Sequence, residues 1–487
     1  MPMRPLTLLQ VQQATGARLI TAHLTPTIAR LSIDTRTIQP QSLFVALRAA
    51  RDGHDFLPAA AAGGAVAALV DHIPDPPIPN LAYLIVPDTR KALGALARSV
   101  RLVMRSTVIA VAGSNGKTST KHLIDAALAT QLRGSISPKS FNNDLGIPLT
   151  IFDADPQQDY LVLEVGTNHP GEIEPLSRIA SPDIALITNC GEEHLEGLVD
   201  LAGVRRENTC ITDGLSPAGT LIVNGDDPDL LAAVARWKGR RITFGFEPHN
   251  DLFATDVTLR DDGITFRLNG AGPAHFVPML GRHTAANALA ALAVARELHL
   301  PDADALAGLA AAHGPDMRLQ LQHLGNLTLL NDAYNANPAS MRAALATLSG
   351  FPATGRRIAI LGDMLELGDA SPLHHRQIGQ LAAQCNLALL IGVGEQAAHL
   401  IDAARRAGMS ADIVFHYPSA ADAADHLPQH LQRGDLVLLK ASRGMRLETI
   451  ANACRVGFIQ PVIALLNRQD ANNRSDKSDP TKSYRVP

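Results

Sequence analysis

The chain has 487 residues, enough for roughly two to four domains, and 18% of them are charged. Its formal net charge is -4 and no long basic run occurs, which argues against a nucleic-acid surface. The longest apolar stretch near the start, residues 59–70, predicts an Ala/Gly-rich helix that is too short to span a bilayer. Without a targeting segment or an anchor, the expected compartment is the cytoplasm.

The four cysteines show no metal-like spacing and are expected to be reduced thiols in the core; they are Cys190, Cys210, Cys385 and Cys454. The N-terminal region, residues 1–104, predicts a small α/β domain. Its proline-rich segment at residues 71–79 is followed by strand-like residues 82–86, so we expect a loop inside that domain.

A glycine-containing loop follows at residues 112–119, between a predicted strand at 108–112 and a predicted helix at 118–128. Gly113 and Gly116 allow backbone N–H groups to approach phosphate oxygens, Lys117 adds a positive charge, and the Thr118 hydroxyl can bind Mg²⁺. Position 111 holds Val where the usual longer loop needs Gly, so this is a shorter Gly-x-x-Gly-Lys-Thr variant. The segment predicts a triphosphate site, and the alternative is a chance glycine-rich turn.

A second break falls at residues 312–316. Beyond it, predicted strands at 327–330, 357–361, 387–391 and 435–440 alternate with helical segments, which indicates a doubly wound sheet. The predicted fold class is therefore α/β with three domains: a small N-terminal α/β domain (1–104), a central P-loop ATPase-type parallel sheet (105–314) and a C-terminal Rossmann-like domain (315–467). The polar tail, residues 468–487, is predicted to be disordered.

The polar run at residues 331–340 follows a predicted strand, at the end where ligands bind in open α/β sheets. With the shortened phosphate loop, this run resembles the Mur ligases, the ATP-dependent amide-bond synthetases of peptidoglycan assembly. Residues 332–340 are similar to the Asp-x-Tyr-Asn-Ala-Asn-Pro-x-Ser loop of the branch that joins D-alanyl-D-alanine to a UDP-linked muramoyl tripeptide. Residues 361–368, Leu-Gly-Asp-Met-Leu-Glu-Leu-Gly, point to the same branch, and the resemblance covers residues 6–465.

The resemblance implies a three-substrate reaction that passes through an acyl phosphate. The expected ligands are ATP, Mg²⁺, UDP-N-acetylmuramoyl-tripeptide and D-alanyl-D-alanine, and the chain is expected to be a monomer that binds no nucleic acid and enters no membrane. Two alternatives stay open. One is a sister ligase, or a folylpolyglutamate synthase-like ligase, that adds a single amino acid; the other is a catalytically reduced nucleotide-binding partner.

The resemblance also assigns roles to residues. Catalytic roles fall to Lys117, Glu164 and His194, and Mg²⁺ ligation falls to Thr118, Glu164 and His194, with His194 at a second ion. The implied ATP contacts are Gly113, Ser114, Asn115, Gly116, Lys117, Thr118, Ser119, Asn287, Arg318, Asp332 and Asn335. The implied contacts to the uridine-nucleotide substrate are Thr35, Arg36, Ala49, Ala50, Arg51, Asn142 and Asn143.

Some of these residues have a purely structural alternative. Glu164 would then cap a helix near Glu172, His194 would be a satisfied surface histidine, and Asn142 and Asn143 would serve a turn only. Residues 34–36 would form a surface turn stabilised by an Asp–Arg pair.

Three positions depart from the family pattern. Asn208 stands where many members carry a lysine that is carbamylated and helps to hold the second metal ion; an amide cannot be carbamylated and brings no charge. Ala441 and Arg48 stand where glycine is usual, so the role of residues 440–444 and the backbone path near residue 48 are left open.

Overall fold

The computed structural model describes residues 5–21, 26–352 and 354–454. They divide into two compact units. The first comprises the described parts of Met1–Thr258, Thr265–Pro278 and His283–Gly314, and the second comprises those of Leu259–Ile264, Met279–Arg282 and Pro315–Pro487. The predicted disordered tail, residues 468–487, lies outside the described residues.

The first part of the chain builds a five-stranded sheet with the strand order β2-β7-β6-β5-β4, and β1 pairs with β3 beside it. The three contacts among β4, β5, β6 and β7 are parallel, whereas β2 runs antiparallel to β7. In chain order the elements are β1 (Leu6–Thr7), α1 (Leu8–Thr15), β2 (Arg18–Ile20), β3 (Thr27–Ile28), β4 (Arg30–Ser32), β5 (Ser42–Val45), α2 (Leu57–Ala62), β6 (Ala65–Val70), β7 (Ala82–Ile85) and α3 (Thr89–Arg101).

The helix predicted over residues 59–70 is wrong in its second half. Helix α2 ends at Ala62, and Gly64 takes a positive φ of 99°, which stops the helix and starts a turn. Residues 65–70 then form β6, which is buried between β5 and β7. An apolar run that is buried on both faces of a sheet shows no alternation, so its sequence alone does not separate a strand from a buried helix.

Helix α3 begins at an Asp88 cap, whose side chain accepts hydrogen bonds from two backbone N–H groups. Near its other end Arg101 is almost fully buried, and its guanidinium lies 2.5 Å from the Asp183 carboxylate. Asp183 also accepts a 2.8 Å hydrogen bond from the backbone N–H of Val108. These contacts fasten α3 to the second sheet of the same unit.

That second sheet has nine strands in the order β16-β15-β14-β13-β12-β11-β8-β10-β9, and it is parallel from β9 to β14. Strand β8 lies between β10 and β11, so the carboxyl ends of these three strands meet at one edge. The elements are β8 (Thr107–Ala112), α4 (Lys117–Leu128), β9 (Gly134–Ile136), α5 (Gly146–Asp153), β10 (Tyr160–Glu164), α6 (Ile173–Ala180), β11 (Ile184–Ile187), α7 (Leu195–Leu198), α8 (Leu201–Thr209), β12 (Thr220–Asn224), α9 (Pro228–Ala233), β13 (Arg240–Gly245), β14 (Leu252–Leu259), β15 (Ile264–Leu268), β16 (Ala271–Val277), α10 (His283–Glu297) and α11 (Asp302–Ala310).

The second unit holds a six-stranded sheet with the order β17-β18-β22-β19-β20-β21, parallel except for β17. Its elements are β17 (Gln320–Leu324), β18 (Leu327–Asp332), α12 (Pro338–Gly350), β19 (Arg357–Gly362), α13 (Ser371–Ala383), β20 (Leu389–Val393), α14 (Ala397–Arg406), β21 (Val414–Tyr417), α15 (Ala420–His426) and β22 (Leu436–Lys440). Residues 448–454 are helical as well. The α/β class, the parallel central sheet and the doubly wound C-terminal sheet are thus confirmed.

No helix among the described residues combines the length and apolarity needed to cross a bilayer. All four cysteines carry free thiols. Cys385 and Cys454 are buried, whereas Cys190 and Cys210 are partly exposed, and burial raises the pKa of Cys454 to about 12.

Candidate active site

The phosphate loop connects β8 to α4 and depends on its two glycines. Gly113 and Gly116 have φ values of 124° and 83°, a region that residues with a side chain rarely adopt. A Cβ on Gly113 would lie 2.2 Å from the Thr188 hydroxyl, and one on Gly116 would lie 2.9 Å from Oδ1 of Asn287. Both space and conformation therefore require glycine here.

The loop after β11 holds the phosphate loop in shape. The backbone N–H of Ser114 donates to the Asn189 carbonyl at 2.9 Å, and the N–H of Asn115 donates to Oδ1 of Asn189 at 3.1 Å. In return, the Thr188 hydroxyl donates to the Asn115 carbonyl at 2.7 Å, and the N–H of Gly191 donates to the Ser114 hydroxyl at 2.9 Å. No sequence motif marks Thr188 or Asn189, because their bonds join segments more than 70 residues apart.

Lys117 is the first residue of α4, and its ammonium group folds back over the loop. Its Nζ donates to the Gly113 carbonyl and, at 3.3 Å, to the Ser114 carbonyl. The same atom lies 3.7 Å from Oε2 of Glu193. A cation over a loop of backbone amides is well placed to meet a triphosphate.

Glu164 ends β10 beside the phosphate loop and is only 1% exposed. The Thr118 hydroxyl donates to its Oε2 at 2.9 Å, and the Asn142 amide donates to its Oε1 at 3.1 Å. The structural alternative for Glu164, a helix cap near Glu172, is wrong. Instead, Glu207 accepts hydrogen bonds from the backbone N–H groups at the start of α6.

Lys121 also belongs to this site, although no sequence motif predicted it. It is fully buried, and its Nζ lies 3.3 Å from Oε2 of Glu164. It also donates to the carbonyls of Ser137 and Lys139 at 2.8 and 2.6 Å. The available signal was its spacing, because Lys121 follows Thr118 by three positions on a helix and so shares its face.

These residues fit a magnesium ion. Mg²⁺ prefers oxygen ligands, commonly from one or two carboxylates together with phosphates and water. Glu164 offers a buried carboxylate and Thr118 a hydroxyl, 2.9 Å apart, next to the loop that would carry the phosphates. Thr118 and Glu164 would therefore hold the ion that accompanies a bound triphosphate.

His194 follows β11 and starts α7 in the left-handed region, with a φ of 48°. Its imidazole is mostly buried, and Nε2 lies 3.8 Å from Oε2 of Glu193. Glu193 is itself 6% exposed, and its Oε1 accepts no hydrogen bond from any described residue. The histidine therefore faces a buried carboxylate, which the surface-histidine alternative does not provide.

Asn208 is almost fully buried in α8. Its amide nitrogen donates a 3.0 Å hydrogen bond to the Val204 carbonyl one turn earlier in the same helix. The side chain thus makes a hydrogen bond within its own helix and adds no charge to the site.

Asn287, in α10, places its amide against Gly116 of the phosphate loop. It is 4% exposed, and its buried Nδ2 has no partner among the described residues. A buried donor without a partner at a phosphate loop is consistent with the predicted nucleotide contact, which stays a prediction.

The predicted uridine-nucleotide residues lie in the N-terminal sheet region. The guanidinium of Arg36 is 86% exposed and pairs with the Asp34 carboxylate at 2.6 Å. The hydrogen bonds from Arg36, helped by the more distant charge of Arg51, lower the pKa of Asp34 to about 2. Thr35 and Arg36 thus lie in a turn near Arg51, and the Asp–Arg pair of the structural alternative is present.

The neighbouring loop is closed on itself. The backbone N–H of Ala49 donates to the Arg51 carbonyl at 3.2 Å, with Ala50 between them. Arg48, at the position where glycine is usual, makes two hydrogen bonds to Asp71, at 2.7 and 3.0 Å. Arg48 therefore has a defined structural partner.

The two predicted asparagines differ. Asn143 uses its side-chain oxygen to accept from the backbone N–H groups of Leu145 and Gly146 at the start of α5. Asn142 donates to Glu164, as described above. The turn role thus suits Asn143, whereas Asn142 lies against the Glu164 carboxylate; contacts of either residue to the substrate stay a prediction.

In the second unit, the loop after β18 rests on Lys440. This lysine is 2% exposed, and its Nζ lies 2.6 Å from the Asp332 carboxylate and 3.0 Å from the Asn335 carbonyl. Arg318 lies over the Tyr334 ring, 4.2 Å from its centre. Arg318, Asp332 and Asn335 are therefore brought together. In residues 440–444, whose role was open, Lys440 makes the two contacts above and the Ser442 hydroxyl donates to the Ala336 carbonyl of the same loop at 3.3 Å.

Comparison with known proteins agrees with this site. Three family models match: "Mur ligase family, catalytic domain" at residues 27–101, "Mur ligase middle domain" at 111–295, and "Mur ligase, glutamate ligase domain" at 317–443. The second match contains the phosphate loop, Glu164 and His194. The third contains Arg318, Asp332 and Asn335.

Two bacterial relatives share much of the sequence. A UDP-N-acetylmuramoyl-tripeptide--D-alanyl-D-alanine ligase of Bacillus subtilis is 37% identical over 423 residues, 86% of this chain and 92% of the relative. The protein of that name from Escherichia coli is 36% identical over 439 residues, 88% of this chain and 94% of the relative.

Solved structures give the same answer. A crystal structure of MurF from Acinetobacter baumannii superimposes with a TM-score of 0.84 at 30% identity and covers 93% of this chain and all of that one. MurF ligase from Thermotoga maritima in complex with ADP gives a TM-score of 0.78 at 26% identity, over 89% of this chain and 98% of that one. The resemblance is confirmed, and the chain belongs to the Mur ligase family.

Proposed function

We propose that this chain joins D-alanyl-D-alanine to UDP-N-acetylmuramoyl-tripeptide and couples this step to the cleavage of ATP into ADP and phosphate, which yields the pentapeptide precursor of peptidoglycan. The observation that carries the proposal is the built phosphate site of the first unit, in which the loop, Lys117, Thr118 and Glu164 converge. Similarity to relatives with this activity, over 86% of the chain or more, supports the choice of substrates.

The chemistry follows from the substrates. A carboxylate is a poor acyl donor because oxide would have to leave, so a carboxylate oxygen of the tripeptide first attacks the γ-phosphorus of ATP, and ADP leaves. The amine of D-alanyl-D-alanine then attacks the acyl carbon, phosphate leaves, and the amine loses a proton. Both steps need little covalent help from the protein, so positioning and charge stabilisation dominate.

This chain's residues supply those effects. The phosphate-loop amides orient the phosphates, and Lys117 stabilises negative charge on the phosphoryl oxygens as the group moves. Thr118 and Glu164 would hold Mg²⁺, which would supply positive charge to neutralise the phosphate oxygens. Asn142 and Lys121 keep the Glu164 carboxylate in place. Arg318, Asp332 and Asn335 are proposed to contact the nucleotide, and Thr35, Arg36, Ala49, Ala50, Arg51, Asn142 and Asn143 the uridine-linked substrate.

We also propose a domain organisation, an oligomeric state and a compartment for this chain. It has three domains: residues 1–104 bind the UDP-linked acceptor, residues 105–314 bind ATP, and residues 315–467 form the Rossmann-like domain that carries the loop after β18. We further propose that the chain acts as a monomer in the cytoplasm, where ATP and nucleotide-linked sugars are made.

Phosphate release tests the proposal. The purified chain is incubated with ATP, Mg²⁺ and UDP-tripeptide, with and without D-alanyl-D-alanine. Released phosphate is measured, and the products are identified by mass spectrometry. We expect phosphate release and amide formation to require both acceptor and dipeptide. Turnover of ATP that is unchanged without the dipeptide, with no amide product, would overturn the proposal.

The same assay separates the alternatives. A sister ligase would form product with a single amino acid in place of the dipeptide, and a folate ligase would use glutamate with a folate acceptor. A catalytically reduced partner would bind nucleotide and release no phosphate.

A further inference from the structure

Glu193 is a buried acid next to the phosphate loop to which the family resemblance gave no role. Its side chain is 7% exposed, and its Oε2 lies 3.7 Å from Nζ of Lys117 and 3.8 Å from Nε2 of His194. Its other oxygen, Oε1, is buried and accepts no hydrogen bond within the described part of the chain. A buried carboxylate oxygen without a partner is costly and calls for a ligand.

The charges around Glu193 indicate that this ligand is a cation. Within the described part of the chain, the Lys117 ammonium is a cation that lies close to Glu193, at 3.7 Å. A bound triphosphate attracts the Lys117 ammonium toward its own oxygens, because that is the established use of a lysine at this place in a phosphate loop. Glu193 would then be buried with a weakened counter-ion, an arrangement that is unfavourable in a protein interior. A cation that arrives with the nucleotide removes this cost.

We infer that Glu193 is a further ligand of the second divalent cation, which the family resemblance places at His194, and that it binds this ion once the triphosphate is bound. A carboxylate oxygen and an imidazole nitrogen are ordinary ligands for Mg²⁺ and Mn²⁺, and phosphate oxygens and water complete such sites. Glu193 supplies the negative charge that the neutral Asn208, held by its own helix, does not. The inference rests on the proposed function only in that it requires a bound triphosphate.

The test counts ions rather than turnovers. The full-length chain is loaded with a non-hydrolysable ATP analogue and titrated with Mn²⁺, and free Mn²⁺ is followed by electron paramagnetic resonance. We expect two ions per chain for the unmutated protein. For Glu193→Gln, which keeps the shape and removes the charge, we expect the second ion to bind at least about tenfold more weakly.

Two further variants complete the design. Glu196→Gln removes an exposed acid of α7, only three positions away, and is expected to leave two ions bound. Glu193→Asp keeps the charge on a shorter side chain and is expected to retain the second ion with reduced affinity. Thermal unfolding of each variant verifies that it is folded. If Glu193→Gln does not fold, the affinity of the second ion is compared between the unmutated protein and Glu193→Asp.

The outcomes are distinct. One ion in the unmutated protein, or two ions of equal affinity in Glu193→Gln, would overturn the inference. If Glu193 is only a counter-ion of Lys117, its loss would strengthen nucleotide binding and leave the ion count at two, which also overturns it. A chain that binds no ATP analogue would instead refute the proposed function, and phosphate release by the unmutated protein decides that question separately.

Discussion

The ammonium group of Lys121 lies 3.3 Å from the carboxylate of Glu164, and both side chains are almost fully shielded from solvent. Glu164 is the proposed magnesium ligand, and Lys121 balances its negative charge at Oε2, the same oxygen that accepts from the Thr118 hydroxyl. Because Lys121 is also fixed by the carbonyls of Ser137 and Lys139, it holds the carboxylate in one orientation before any ion arrives.

Replacement of Lys121 by methionine should therefore destabilise the protein. Removal of one partner of a buried ion pair leaves an uncompensated charge and commonly costs about 3–5 kcal/mol. We expect the free energy of unfolding, measured with urea in the absence of Mg²⁺, to fall by about this amount. The double variant Lys121→Met/Glu164→Gln should lose much less than the sum of the single changes, while Lys91→Met, on an exposed lysine of α3, should stay within about 0.5 kcal/mol. Additive losses would show that the two side chains are not coupled.

Replacement of Lys117 by alanine should affect the reaction more than the fold. The loss of one charge that stabilises the moving phosphoryl group commonly lowers the rate on the order of 10²- to 10³-fold. Steady-state phosphate release measures this effect, and Lys238→Ala, at an exposed lysine of the same unit, is the control. Near-normal turnover in Lys117→Ala would remove Lys117 from the mechanism.

Activity should not respond to dissolved CO₂ or bicarbonate. Asn208 cannot be carbamylated, and its amide is engaged by the Val204 carbonyl. The measurement is the initial rate against Mg²⁺ concentration in CO₂-depleted and in bicarbonate-supplemented buffer, for the unmutated chain and for Asn208→Lys. Marked activation of the unmutated chain by bicarbonate would mean that another lysine fills the family role; bicarbonate dependence is expected only in the variant, and only if the buried site admits the longer side chain.

His375 should make the stability of the second unit depend on pH. It is fully buried: its Nε2 accepts from the backbone N–H of Met364 at 3.0 Å, and its Nδ1 donates to the Ser371 carbonyl at 2.8 Å. Burial lowers the pKa of His375, and the hydrogen bond to Ser371 and the charge of Asp363 oppose this only in part. The folded state therefore favours the neutral imidazole, whereas the unfolded chain binds the proton near pH 6.5.

The sign follows from proton binding. Below about pH 6.5 the unfolded state binds more protons than the folded state, so stability falls as the pH is lowered through that window and is fully present above it. We expect His375→Gln to lose about 1–3 kcal/mol at pH 7.5, from the disturbed buried hydrogen bonds, and less at pH 5.5. Urea unfolding at both pH values gives the comparison, with His323→Gln, at an exposed position of β17, as the control. An equal loss at both pH values would contradict the assignment.

The order of elements was predictable from the sequence, but several local partners were not. Residues 108–112 and 118–128 read as a strand and a helix because apolar periodicity and a glycine turn agree there, and β8 and α4 match them closely. Residues 65–70 were assigned to a helix because a strand buried on both faces shows no alternation. The edge strands β17 and β21 were missed, since they are short and half exposed and depend on pairing with distant segments.

In the candidate site, too, some residues could be recognised from the sequence and others could not. Gly113, Lys117 and Thr118 could be recognised because their spacing along the chain is itself the signal. Lys121, Thr188, Asn189 and Lys440 act through contacts between segments far apart in sequence, such as the pair of Lys440 with Asp332, 108 residues earlier. No local pattern marks such residues, because ordinary helices and strands contain the same types.

The position of β22 has a consequence for the synthesis of the chain. This strand is made after all others of its sheet, yet it lies in the interior of the sheet, between β18 and β19. Until residue 440 has left the ribosome, β18 and β19 each lack their neighbour and expose the backbone groups and apolar faces that β22 covers. A nascent chain that stalls before this point therefore presents open strand edges that invite aggregation.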